Sequence, residues 1–90
     1  MYHLSYSTKF KKDIKLCQKR KYDFTLFKKV IELLEEQGKL PAIYKPHVLS
    51  GDYSKHWECH IKPDWILIWT QDDINKEIYI VRTGTHSDLF

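Results

Sequence analysis

The sequence holds no apolar run approaching the roughly 20 residues needed to cross a bilayer, and its N-terminus lacks the long apolar stretch of a signal peptide. Both absences point to a cytoplasmic protein with no membrane partner. Cysteine is scarce too: Cys17 and Cys59 are the only two. They lie far apart with no C-x-x-C spacing, which argues against a disulfide framework or a zinc site. Two reduced, half-buried thiols are expected instead. Internal repeats, low-complexity tracts and domain linkers are also missing. Ninety residues, 42% hydrophobic and 14% aromatic, then suffice for one small domain, residues 1–90, with a single core built around large aromatic units.

Periodicity divides the chain into elements. Tyr2 to Tyr6 alternates as a short strand, and Ser7 or Thr8 offers a hydroxyl to the free amides of a helix start. Phe10, Ile14 and Cys17 then recur at helical spacing, and the first helix ends near Arg20. Asp23 is a cap for a second helix, in which Phe27, Val30, Ile31 and Leu34 mark a buried face and Gly38 a left-handed stop. The short link between the helices favours an antiparallel pair. Lys39 to Ser54 has no clean period and carries Pro41, Pro46 and Gly51, so it reads as a loop crossing to the sheet, pinned by Tyr44, Val48 and Leu49.

Beyond that loop the signal is strand-like. Lys55 to Lys62 alternates, with Trp57, Cys59 and Ile61 on one side and His56, Glu58, His60 and Lys62 on the other. Trp65 to Thr70 is apolar almost throughout, which fits a central strand covered on both faces. Asp and Asn between Gln71 and Lys76 favour a turn, and Glu77 to Thr83 is the last long strand. The tail from Gly84 to Phe90 is too short for an element of its own. The expected fold is α+β: an N-terminal strand, an antiparallel pair of helices, then a C-terminal antiparallel meander with the helices packed on one face. Where the first strand joins the sheet is left open.

The groups able to do chemistry fall at strand ends. Of five histidines, His47, His60 and His86 lie at loop or strand ends away from the helical stripe, and an imidazole serves as acid or base near neutral pH. Singly, each also fits a surface or hydrogen-bonded structural residue, the reading retained for His3 and His56. Asp64 follows Pro63 and fits an ordinary turn. Arg82 sits beside a glycine-containing turn, where its fork can reach a phosphate. A metal held by His47, Cys59, His60 and His86 is disfavoured, because Cys59 and His60 point to opposite faces. The net charge is only +3, yet Lys9, Lys11, Lys12, Lys15, Lys19 and Arg20 crowd the first helix. Such a run suits either a solvated face or a phosphate backbone.

Four stretches together, FKKDIKLCQKR, LPAIYKPHVLSG, ECHIKPDWILIW and VRTGTHSDLF, resemble the YafQ branch of the RelE/ParE superfamily of bacterial type II toxins. The resemblance implies a RelE-like, microbial-ribonuclease-like fold and a ribosome-dependent endonuclease that cuts messenger RNA by 2′-hydroxyl attack without metal or cofactor. It implies an antitoxin of the DinJ kind as partner, beside ribosome and message, with the toxin alone a monomer and the complex a hetero-oligomer. Matched motif by motif, it assigns catalytic roles to His47, His60, Asp64, Arg82 and His86. Phe90 and Trp65 become substrate contacts, and the first-helix cations become the ribosome-facing surface. Which group is the base stays open. Two other readings compete: a non-catalytic inhibitor of DNA gyrase, as in the ParE branch, and a module that grips RNA or ribosomes without cutting.

Overall fold

The computed structural model describes residues 1–90. Strand β1 (His3–Tyr6) leads into helix α1 (Thr8–Lys19), whose start is capped by the Ser7 hydroxyl accepting from the Phe10 amide. Helix α2 (Phe24–Gln37) is capped by Asp23 and closed by Gly38 at φ 65°. A Cβ at Gly38 would overlap the Tyr2 ring, so close approach as well as backbone conformation requires glycine there. After two 3₁₀ turns come β3 (Trp57–Lys62), β4 (Trp65–Asp72) and β5 (Glu77–Gly84), the expected antiparallel meander.

The sheet has five strands in the order β1-β5-β4-β3-β2. The extra member, β2 (His47–Val48), lies inside the stretch expected to be loop and pairs antiparallel with β3, His47 opposite Glu58. Two residues between turns carry no alternation to detect, so only pairing defines this strand. Val48 therefore does not pin the loop to the core; it is exposed, whereas Tyr44 and Leu49 pack inward as expected. β1 takes the opposite edge, parallel to β5, which makes the sheet mixed.

β4 is the middle strand. Trp65, Leu67 and Trp69 face α1 and α2 and join Phe10, Cys17, Val30, Leu34, Cys59, Ile61, Ile78 and Ile80 in the main core. Ile66 and Ile68 point the other way, into a small cluster with Leu89, flanked by Leu49, Tyr53 and Val81. The second face thus has its own cover, made by the 49–53 loop and a one-turn helix α3 (His86–Leu89). This helix corrects the expectation of a tail without an element. Its Thr85-x-x-Asp88 spacing is a capping-box signal, and both halves of that box are formed.

Candidate functional site

The outer face of β3, the end of β4 and α3 converge on one cluster of rings. His47 and His60 lie with centroids 6.5 Å apart, His60 and His86 5.6 Å, and His86 and Phe90 6.3 Å. β3 supplies His60 through the alternation that sends Cys59 and Ile61 into the core. A register shift between His60 and Lys62 marks a bulge beside the Pro63 turn, a common device for re-aiming a side chain at a functional edge. β2 brings His47 over β3, and α3 brings His86 from the end of the chain. A cleft of about 430 Å³ opens beside His60, lined by Tyr44, Lys45 and Pro63 among others.

Two carboxylates hold these rings. Asp64 Oδ1 accepts from the His86 backbone amide at 2.9 Å and lies 2.7 Å from its ring Nδ1. The backbone bond and then the ring bond hold the Asp64 carboxyl below the usual carboxylate range. Asp64 therefore stays ionised at neutral pH, and with Nδ1 as the donor the free ring atom of His86 is Nε2. The second carboxylate, Glu58, is one that sequence reasoning missed. Its side chain is 7% exposed, and Oε2 lies 2.7 Å from His47 Nε2 and 3.9 Å from His60 Nε2. His47 Nδ1 lies 2.8 Å from the Lys45 carbonyl and His60 Nδ1 3.2 Å from that of Pro63. Glu58 follows the polar phase of β3, which signals a face; the pairing with β2 that sets His47 directly opposite it has no sequence signal.

The remaining expected residues divide. Arg82 stands opposite Ile68 in β5, just past a register shift between Ile68 and Trp69, so the bulge takes it off the helix-facing phase. Its hydrogen bonds go to α1 and not to the histidines. Nε and Nη2 donate to Asp13 of α1 at 2.7 and 3.0 Å, and this pairing lifts the guanidinium pKa further. Trp65 is 2% exposed, packed among Tyr22, Phe24 and Phe27, with Nε1 donating to the Thr83 hydroxyl. Its position in the helix-facing phase of β4 makes its side chain part of the core, and the residue borders a second cleft together with Pro63 and Asp64. Phe90 is 62% exposed, with its ring 5.5 Å from that of Tyr53. The five lysines of α1 are exposed, but Arg20 is committed to Asp88 through two hydrogen bonds of 2.6 and 3.0 Å.

Glu58, His60 and His86 present ligand atoms within 4.8 Å of one another, a nitrogen and oxygen set that suits zinc or copper. The grouping differs from the four residues considered on sequence grounds, because Cys59 is buried on the opposite face.

Residues 2–90 match the family model described as bacterial toxin of type II toxin-antitoxin system, YafQ. The chain is 42% identical over 88 residues to the mRNA interferase toxin YafQ of Escherichia coli K12, spanning 97% of this chain and 94% of that one. The structure superposes on YafQ in the E. coli DinJ-YafQ complex with a TM-score of 0.89 at 41% identity, covering 100% of this chain and 99% of the other. A metal-bound toxin from Helicobacter pylori gives a TM-score of 0.89 at 37% identity over the whole of both chains.

Proposed function

The chain belongs to the YafQ family of toxins from bacterial type II toxin-antitoxin systems, and from that membership and the histidine cluster we propose an endoribonuclease that cuts messenger RNA on the ribosome and so stops translation. The observation that carries the chemistry is the pair His60 and His86, ring centroids 5.6 Å apart, with Glu58 Oε2 3.9 Å from His60 Nε2 and Asp64 Oδ1 2.7 Å from His86 Nδ1. Cleavage without a metal requires the neighbouring 2′-hydroxyl to attack phosphorus. A base takes its proton, the bond to the 5′-oxygen breaks, and an acid protonates that leaving oxygen, giving a 2′,3′-cyclic phosphate.

His86 is the acid, because Asp64 occupies Nδ1 and leaves Nε2 to deliver the proton. His60 is the base. Asp64 is poorly suited to that task, since its Oδ1 already accepts two bonds and its pKa is depressed. Glu58 holds His47, which contacts phosphate or ribose. Arg82 is the phosphate clamp, and exposed Phe90 is a platform on which a base stacks. DNA lacks the attacking hydroxyl and is spared. The ribosome supplies what so small a protein cannot: correct positioning of a flexible message is worth about 7–11 kcal/mol of a barrier. The α1 lysines dock on ribosomal RNA, and a DinJ-like antitoxin silences the free toxin in a hetero-oligomer.

His86→Ala should abolish cleavage of translated messages while circular dichroism and the melting curve stay native-like; full activity in that variant sinks the proposal. Cleavage should persist in EDTA and fall on adding zinc, because ligation of His60 and His86 stops proton transfer. Loss of activity in EDTA with recovery on adding metal would exclude the metal-free route.

A further inference from the structure

The guanidinium of Arg82 is a planar fork with five N–H donors and two edges able to bind a pair of oxygens. Asp13 takes the side edge, through Nε at 2.7 Å and Nη2 at 3.0 Å. The end edge, one N–H each from Nη1 and Nη2, is a parallel pair whose spacing matches two phosphoryl oxygens; the Tyr53 hydroxyl is the other group near the guanidinium, a weaker neighbour than Asp13. The carboxylate is itself held in place. Asp13 Oδ2 also accepts from the Thr83 amide at 3.1 Å. That amide lies on the outer edge of β5, past the last β1 pair at Tyr6 and Ile80. Asp13 sits in α1 between buried Phe10 and Cys17, and the side chains of the ion pair are only 12% and 20% exposed. Arg82 therefore cannot swing freely without stranding a largely buried charge.

We propose that Asp13 is a positioning residue for the cleavage reaction, fixing Arg82 so that its end edge is presented to the phosphoryl oxygens. The proposal rests on the reading of Arg82 as the phosphate clamp. It deepens that reading in one respect: an arginine already paired with a carboxylate contributes direction more than raw attraction. Its effect belongs to the transition state, where the oxygens gain charge and need donors at set angles, and little to ground-state binding.

The test is single-turnover cleavage of message on programmed ribosomes, reading maximal rate and half-saturating toxin concentration separately. Asp13→Asn should lower the maximal rate by roughly ten-fold or more without raising the half-saturating concentration. In an Arg82→Ala background the same change should cost nothing further. An equal loss in both backgrounds would make Asp13 merely a cap on the edge of β5 and overturn the proposal, as would full activity of Asp13→Asn beside an inactive Arg82→Ala. Full activity of Arg82→Ala would instead remove the phosphate-clamp reading underneath it. Arg82→Lys makes the test independent of how well the Asp13 variant folds, since lysine keeps a cation against Asp13 but has no second edge. It should retain the melting temperature and half-saturating concentration and lose rate; a wild-type rate there overturns the proposal.

Discussion

At Glu58 a carboxylate only 7% exposed has the Nε2 atoms of two histidines facing one of its oxygens, at 2.7 and 3.9 Å. A buried charge is tolerated when its partners are in place, and removing one side of such an arrangement leaves the other unpaired. Glu58→Ala should therefore lower stability on the order of 1–3 kcal/mol in urea unfolding and slow cleavage as well. A variant that slows cleavage without changing stability would mean that Glu58 does not hold the site together. The two thiols lie at the opposite extreme of reactivity. Burial pushes the Cys17 thiol up to about 11 and Cys59 higher still, so both are protonated at pH 8 and neither is a nucleophile. Native protein should resist alkylation there and react at both positions once unfolded. The pattern Trp57, Cys59, Ile61 is enough to send Cys59 into the core. Nothing in it distinguishes Glu58 from the exposed charge at Lys62.

Among the elements, α3 depends most on its neighbours. Four residues form no stable helix alone, and this one rests on the Thr85 and Asp88 capping box, on Leu89 buried over Ile66 and Ile68, and on the Arg20 fork gripping Asp88. Arg20 first and the Thr85 backbone amide next hold the Asp88 carboxyl well below the usual range. A depressed carboxylate pKa stabilises the fold above the unfolded value of about 3.9 and loses that contribution as pH falls through the folded value. Wild-type melting temperature should therefore drop between pH 4 and pH 2. Asp88→Asn should start lower at pH 7 and fall less across the same window, and parallel curves would contradict the linkage. Gly84 is part of the same device: at φ 155° its hydrogen leaves room where a Cβ would lie 2.8 Å from Asp88 Oδ2.

For the whole molecule, the charge is divided between two uses. Arg20 and Arg82 pair with Asp88 and Asp13 and tie the first-helix segment to the C-terminal third of the chain, whereas Lys9, Lys11, Lys12, Lys15 and Lys19 are exposed and make no ion pair. If these lysines dock on ribosomal RNA as proposed, ribosome affinity should weaken with salt. Replacing Lys11, Lys12 and Lys15 by glutamine should flatten the log–log salt dependence by about 0.7–0.9 of a unit for each phosphate no longer neutralised, and leave the melting temperature unchanged. An unaltered slope would place the RNA-facing surface elsewhere.

Local pattern alone determined a great deal of this protein. Helix caps at Ser7 and Asp23, the stop at Gly38, the alternation of β3 and the apolar run of β4 all depend on neighbours within a few residues, and each stands where its spacing put it. The meander followed from short turns. Motifs in the sequence led to the family and named the histidines. The tertiary structure decided what requires residues far apart to meet. It placed β1 parallel at an edge, made a strand of two residues by pairing them with β3, and so set His47 opposite Glu58. It also put Trp65 on the core side of β4 and joined Asp13 to Arg82 across 69 positions of chain. Periodicity reports which way a side chain points from its own element; the neighbour it meets there is set by packing.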